Sequence, residues 1–239
     1  VQDPKTAAQN FDNGKVDYAT INSTLVDKYK GKDTFKAIRE GYLAYLICNF
    51  KADTTANKNL RHALSYAINR KDLCDNILKD GSQPATGFVP AQLCKSPSGK
   101  DFREESGKYV DYDVKKAQEY LDAAKKELGT DTITVDLLYG TDESPMDTMA
   151  EYLQGSFSKL KGLKVNMVAT VKKDRIYNRE ANGNFQVVCT RWGPDYADPT
   201  TYLNLFLTGN QNNYGKYSNA KVDSLMKQVQ TESDVNKRW

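Results

Sequence analysis

The chain has 239 residues, 39% of them hydrophobic, with 34 Lys+Arg nearly matched by 31 Asp+Glu for a net charge of +3. Mean hydropathy is −0.70, and no apolar run approaches the ~20 residues of a membrane-spanning helix. The basic residues are interspersed with acids (Lys28, Lys30, Lys32; Lys115, Lys116; Lys125, Lys126), as on solvated helix faces, so the concentrated positive patch of a nucleic-acid partner is not expected.

In chain order, Thr6 to Asn13 reads as a helix ended by Gly14. A short strand is expected from Val16 to Ile21, then a helix capped by Asn22-Ser23 and carrying Leu25 and Tyr29. Gly41 to Phe50 (GYLAYLICNF) is apolar enough for a central strand. Thr54 to Asn57 supply caps for a helix with Leu60, Ala63, Leu64, Ala67 and Ile68 on one face, followed by a second with Leu73, Ile77 and Leu78 inward. Pro84, Gly87 and Pro90 punctuate a long loop reaching about Arg103.

Asp113 caps the helix VKKAQEYLDAAKKEL, which Gly129 ends. Strand Ile133 to Tyr139, a helix opened by Ser144-Pro145 and strand Leu163 to Val171 form a βαβ unit. A short helix from Asp174 to Ala181 precedes the strand-like run Phe185 to Trp192, also expected to be central. Ser218-Asn219 caps a last long helix. Val1 opens without methionine and Trp239 closes on a helical pattern, which reads as a mature chain or excised piece.

Gly193-Pro194 breaks the Phe185 strand, because proline cannot donate to a ladder. Asp195 and Tyr196 follow, and Asp198-Pro199 reads as an N-cap with proline at the first helical position, ahead of an apolar stripe of Tyr202, Leu203 and Phe206. A carboxylate and two aromatics therefore stand past the C-terminal end of a buried strand, where open α/β sheets bind ligands. Asp195 suits either a cationic ligand or a turn cap. The 15 tyrosines suit a contact surface as readily as a compositional habit.

No motif of catalysis or metal binding accompanies this stretch. Cys48, Cys74, Cys94 and Cys189 contain no C-x-x-C pair, so no metal or cofactor is expected, and their pairing stays open. There is no G-x-S-x-G, and His62, the one histidine, has no nucleophile beside it in sequence, so no enzyme is expected.

Three stretches in order, FDNGKVDYATI (Phe11–Ile21), NKNLRHALSYAINRKDLCDNILKDGSQPATGFVP (Asn57–Pro90) and RWGPDYADPTTYLNLF (Arg191–Phe206), resemble the oligopeptide/dipeptide solute-binding proteins of bacterial ABC importers, family 5. The helix DVKKAQEYLDAAKKELG and the strand ITVDLLYG are similar too. The resemblance implies an α/β lobe of the periplasmic-binding-protein type II, with a mixed central sheet flanked by helices. It implies that residues 1–239 are a single lobe, truncated at both ends relative to a two-lobed clamshell whose N-terminal lobe is missing here.

The implied function is extracytoplasmic peptide binding for uptake. The partners would be a peptide held by its main chain and an ABC permease in the membrane, with the protein periplasmic or a cell-surface lipoprotein. Residue by residue, Asp195 matches the family's ammonium-pairing aspartate and Trp192 the tryptophan beside it, with Tyr196 next to them. Asp198 is expected to serve only as a helix cap. Departures are Gly193-Pro194, which stiffens the approach to Asp195, and the lack of an acidic residue in YLICNF. A sensory or interaction module of the same fold, or a binding protein for a nickel complex or sugar, are the alternatives.

Overall fold

The computed structural model describes residues 3–239. The chain begins with helices α1 (Pro4–Asp12) and α2 (Ser23–Tyr29), then strand β1 (Leu43–Cys48) and helices α3 (Asp53–Ala56) and α4 (Lys58–Tyr66). Helix α5 (Arg70–Asp72) runs into a π-turn (Leu73–Leu78), and α6 (Phe102–Ser106) and α7 (Val114–Leu128) follow. Next come β2 (Ile133–Gly140), α8 (Met146–Phe157), β3 (Leu163–Thr170) and α9 (Lys172–Asp174), which opens into a second π-turn (Arg175–Glu180). The chain closes with β4 (Val187–Trp192), α10 (Thr200–Leu203), a 3-10 turn (Asn204–Phe206), α11 (Ala220–Thr231) and α12 (Val235–Arg238).

Two compact units result, one running up to Arg39 with Arg70–Pro84, the other Glu40–Asn69 with Ala85–Trp239. In the first, the Asp3 carboxylate accepts the Thr6 N–H at 2.6 Å and so caps α1. The Asp12 carboxylate accepts from Lys28 Nζ at 2.9 Å and from the Tyr29 hydroxyl at 2.8 Å, tying α1 to α2. Val16 to Ile21 is not a strand. Val16 and Tyr18 are exposed, and a run that pairs with no neighbour gains nothing from its β-favouring side chains. Ile77, expected inward, is also exposed, while Leu73 and Leu78 are buried. The π-turn's wider spacing brings residues five apart onto one side in place of an α-helical stripe.

The second unit holds the mixed sheet, in the order β1-β4-β2-β3. β2 pairs with β3 and β4 in parallel, and β1 pairs with β4 antiparallel, Leu43 opposite Trp192. The Phe185–Trp192 strand is therefore internal, as expected, but the strand within GYLAYLICNF is not. Among the described residues β1 has β4 as its one neighbour and is an edge strand. Its apolar character answers to its faces instead. Leu43 packs with Val89 and Tyr202 in a cluster that also takes Tyr45 of β1 and Phe88 of the long loop, and the Tyr45 and Phe88 rings meet edge-on at 4.9 Å.

The βαβ unit lies where periodicity put it. Helix α7 starts on Asp113, which accepts the Lys116 N–H at 2.9 Å, and ends on Gly129 in the left-handed conformation. Its Ala117, Leu121 and Ala124 are buried. His62 on α4 stacks against Tyr120 of α7 with ring centroids 4.9 Å apart, so the lone histidine serves packing. The parallel strands β2, β3 and β4 end on the same side of the sheet, and the loops leaving them form one rim.

Candidate functional site

The rim after β4 is built by register. Because β1 runs antiparallel to β4 with Leu43 opposite Trp192, the chain entering β1 lies against the chain leaving β4. A Cβ on Gly41 would sit 3.1 Å from the Pro194 ring, and one on Gly193 would sit 2.6 Å from the Tyr42 ring. Glycines at both places permit this contact. The Tyr202 hydroxyl donates to the Gly41 carbonyl, fixing α10 to the same corner, and the Arg191 guanidinium lies 5.0 Å from the Tyr42 ring centroid. Tyr42, 53% exposed, was not singled out by sequence. Only the strand register, which sequence does not give, brings it here.

The three expected site residues divide in two. Asp195 and Tyr196 occupy the exposed turn. The Asp195 N–H donates to the buried Thr201 hydroxyl at 2.9 Å, and among the described residues its carboxylate makes no hydrogen bond or ion pair. The Tyr196 hydroxyl accepts from Asn204 Nδ2 at 3.2 Å and lies 3.2 Å from the Thr200 hydroxyl, while Tyr196 stays 47% exposed. Trp192 is half-buried against the Leu43–Val89–Tyr202 cluster, and its indole N–H is buried without a partner among the described residues.

Asp198 is more than a cap. It does accept the Thr200 N–H at 2.9 Å and the Thr200 hydroxyl at 2.7 Å. Arg238 of α12 also forks onto both its oxygens, at 2.8 and 3.0 Å. Partial burial alone would raise the Asp198 carboxyl, but hydrogen bonds from Arg238 and Thr200 outweigh it and hold the group below the usual carboxylate range. Beside it the Trp239 indole N–H donates to Glu105 at 2.6 Å. The Trp239 ring meets Phe102 edge-on at 5.1 Å.

The rim after β2 and β3 carries a buried charge cluster that the sequence did not reveal. Arg175, 2% exposed in its side chain, donates to Glu143 from Nε at 3.0 Å and from Nη2 at 2.8 Å. It also donates to Glu180 and, at 3.0 Å, to the Thr190 hydroxyl on β4. Lys172 Nζ stands 3.4 Å from Glu143. A Cβ on Gly140 would sit 2.5 Å from the Glu143 carboxylate, so the glycine leaves room for it. Burial pushes Glu180 up to about 7 against the pull of Arg175, with Glu143 adding to the rise. The cluster fastens the segments after β2 and β3 to β4 two residues before Trp192.

All four cysteines are free thiols. Among the described residues no three His, Cys, Asp or Glu side chains gather as metal ligands would, and no helix is long and apolar enough to cross a membrane.

Residues 1–214 match the model of bacterial extracellular solute-binding proteins, family 5 Middle. The chain belongs to this family. Members bind solutes and are not enzymes. The dipeptide-binding protein of Lactococcus lactis subsp. cremoris is 34% identical over 98% of this chain and 44% of its own length. Among solved structures, the substrate-binding domain of an oligopeptide ABC transporter from Bacillus anthracis superposes with a TM-score of 0.92 at 33% identity, covering 100% of this chain and 47% of that one. Listeria monocytogenes OppA bound to peptide gives a TM-score of 0.89 at 32% identity, covering 100% and 46%. The α/β lobe is thus that of a family 5 binding protein, and the chain spans less than half the length of these relatives.

Proposed function

We propose that this chain is one lobe of a two-lobed extracytoplasmic peptide-binding protein, either periplasmic or a cell-surface lipoprotein. It would deliver di- or oligopeptides to an ABC permease. The names carried by its relatives support the ligand class. The observation that carries the site is the contrast between two neighbouring carboxylates. Asp198 is taken up by Arg238 and Thr200, whereas Asp195 stands exposed at the end of β4 with its carboxylate unengaged by the described residues. A carboxylate so placed suits the α-ammonium of a peptide, which it would hold by a short charge-assisted bond. Tyr196 follows it directly and Tyr42 lies against Gly193 of the same turn, both with half-exposed rings suited to amphipathic contact with the peptide chain. The second lobe would cover the ligand and supply the remaining main-chain contacts.

The test is mass spectrometry of what co-purifies with the two-lobed protein, followed by calorimetry with the peptides found and their N-acetylated forms. Recovery of free-amino peptides that lose affinity on acetylation is the expected result. Recovery of a non-peptide solute, or equal affinity for acetylated peptides, refutes the proposal.

A further inference from the structure

A continuous polar path joins the last helix to the rim. Arg238 forks onto Asp198, Asp198 takes both the N–H and the hydroxyl of Thr200, and the Thr200 hydroxyl meets that of Tyr196 at 3.2 Å. Asn204 holds the same tyrosine hydroxyl from the far end of α10. The Arg238 end is itself braced, since Trp239 is tied to Glu105 and Phe102. Both oxygens of Asp198 are occupied, so the carboxylate cannot turn without breaking a bond to Arg238 or to α10.

We infer that Arg238 is a positioning residue for the ligand site, acting through Asp198 and Thr200 to set the Tyr196 ring and the turn that carries Asp195. The inference rests on the reading of Asp195 and Tyr196 as ligand-facing. Its physical basis is pre-organisation. The seven residues between β4 and α10, exposed at positions 195–197, would otherwise lose conformational freedom when a ligand binds, and a bidentate guanidinium at the base of the turn removes part of that freedom beforehand. A tether that merely adds stability would raise the melting temperature without favouring one orientation of Tyr196. A positioning tether makes the effect of Arg238 on binding depend on the Tyr196 hydroxyl.

The experiment uses the two-lobed protein and, as probe, a synthetic pool of free-amino di- to hexapeptides alongside its N-acetylated counterpart, with retained peptide quantified by mass spectrometry. Arg238→Ala should lower retention of the free-amino pool about five- to tenfold, within the range of coupling between residues of one network. Asp198→Asn, which keeps a good N-cap while losing the charge, should do the same with little change in melting. In a Tyr196→Phe background, Arg238→Ala should have a smaller effect, since only its hold on the turn remains.

Full retention by Arg238→Ala and Asp198→Asn, with retention lost in Asp195→Asn, overturns this inference and leaves the ammonium reading standing. So does an undiminished effect of Arg238→Ala on top of Tyr196→Phe. If wild-type protein retains both pools equally, or neither, the ammonium reading falls and the inference falls with it.

Discussion

Gly193 passes so close to Tyr42 that a Cβ on it would sit 2.6 Å from the edge of the ring. The antiparallel pairing of Leu43 with Trp192 creates this contact, and the ring lies under Arg191 on its other flank. Gly193→Ala should force the half-exposed ring aside and lower stability by about 1 kcal/mol, a small overpacking cost. In a Tyr42→Ala background the same change should cost almost nothing. Chemical denaturation of the four proteins of the cycle measures the coupling, and additive effects would mean that the two residues do not press on one another.

Asp195 and Asp198, three residues apart, should respond differently. Asp195→Asn should leave melting nearly unchanged and weaken peptide binding by about 2–5 kcal/mol, as for a lost charge partner. Asp198→Ala should lower stability by about 1–2 kcal/mol, from the lost cap and the partly exposed Arg238 pair together. Its effect on affinity should be the smaller of the two, and should match that of Arg238→Ala. Calorimetry with a peptide and its acetylated form, together with thermal melts, separates the two carboxylates. Equal affinity losses would remove Asp195 from its special position.

Glu180 predicts a pH dependence. Burial holds its carboxyl up to about 7, above the 4.5 of the free group, so the folded state keeps its proton longer than the unfolded state does. The contribution of Glu180 is therefore fully present below the unfolded carboxylate range and is lost as pH rises towards 7. Glu180→Gln stays neutral throughout. Relative to wild type it should gain stability as pH rises from about 4.5 to about 7, the range between the unfolded and folded carboxyl. Urea unfolding at several pH values tests this, and a difference that stays constant across the range would show that Glu180 remains ionised beside Arg175.

Sequence reading was strongest where the signal is local. Asp113 and Gly129 mark the ends of α7 by chemistry confined to a turn each, and the alternation and apolar runs of β2 and β4 mark strands that are internal to the sheet. It failed where the deciding partner is distant. The edge place of β1 depends on which strands flank it, while an apolar run records only that its faces are covered. Val16 to Ile21 has strand-like residues and no ladder to join. Asp195 stood out because a strand end and a turn are visible in order, but the pairs Asp198–Arg238 and Glu143–Arg175 are 40 and 32 residues apart, and no spacing rule links them.

The thiols give a further prediction. Burial pushes Cys48 and Cys74 up to about 11 and Cys189 up to about 12, with Arg61 drawing Cys48 back slightly. Cys94, in contact with the fields of Asp198 and Asp101, is raised by burial first and by those carboxylates second, also to about 11. Since the thiolate is the reactive form, native protein at pH 8 should react slowly with a disulfide reagent at all four positions, and rapidly once unfolded in urea. Stoichiometric labelling of the native protein within minutes would contradict the burial.

The π-turn that carries Arg175 and Glu180 makes chain length itself part of this rim. The two residues are five apart, a separation that an α-helix of 3.6 residues per turn sets about 140° apart around its axis. The wider turn brings them back to one side, where both reach the interior. Removing a single residue between Ile176 and Arg179 would set the two four apart, about 40° around an ordinary α-helix, and would keep Glu180 on the side of its partner. An added residue there would set them six apart, about 120° around an α-helix, and should therefore do more damage than most substitutions at the same positions, because it leaves a guanidinium in the interior short of one carboxylate.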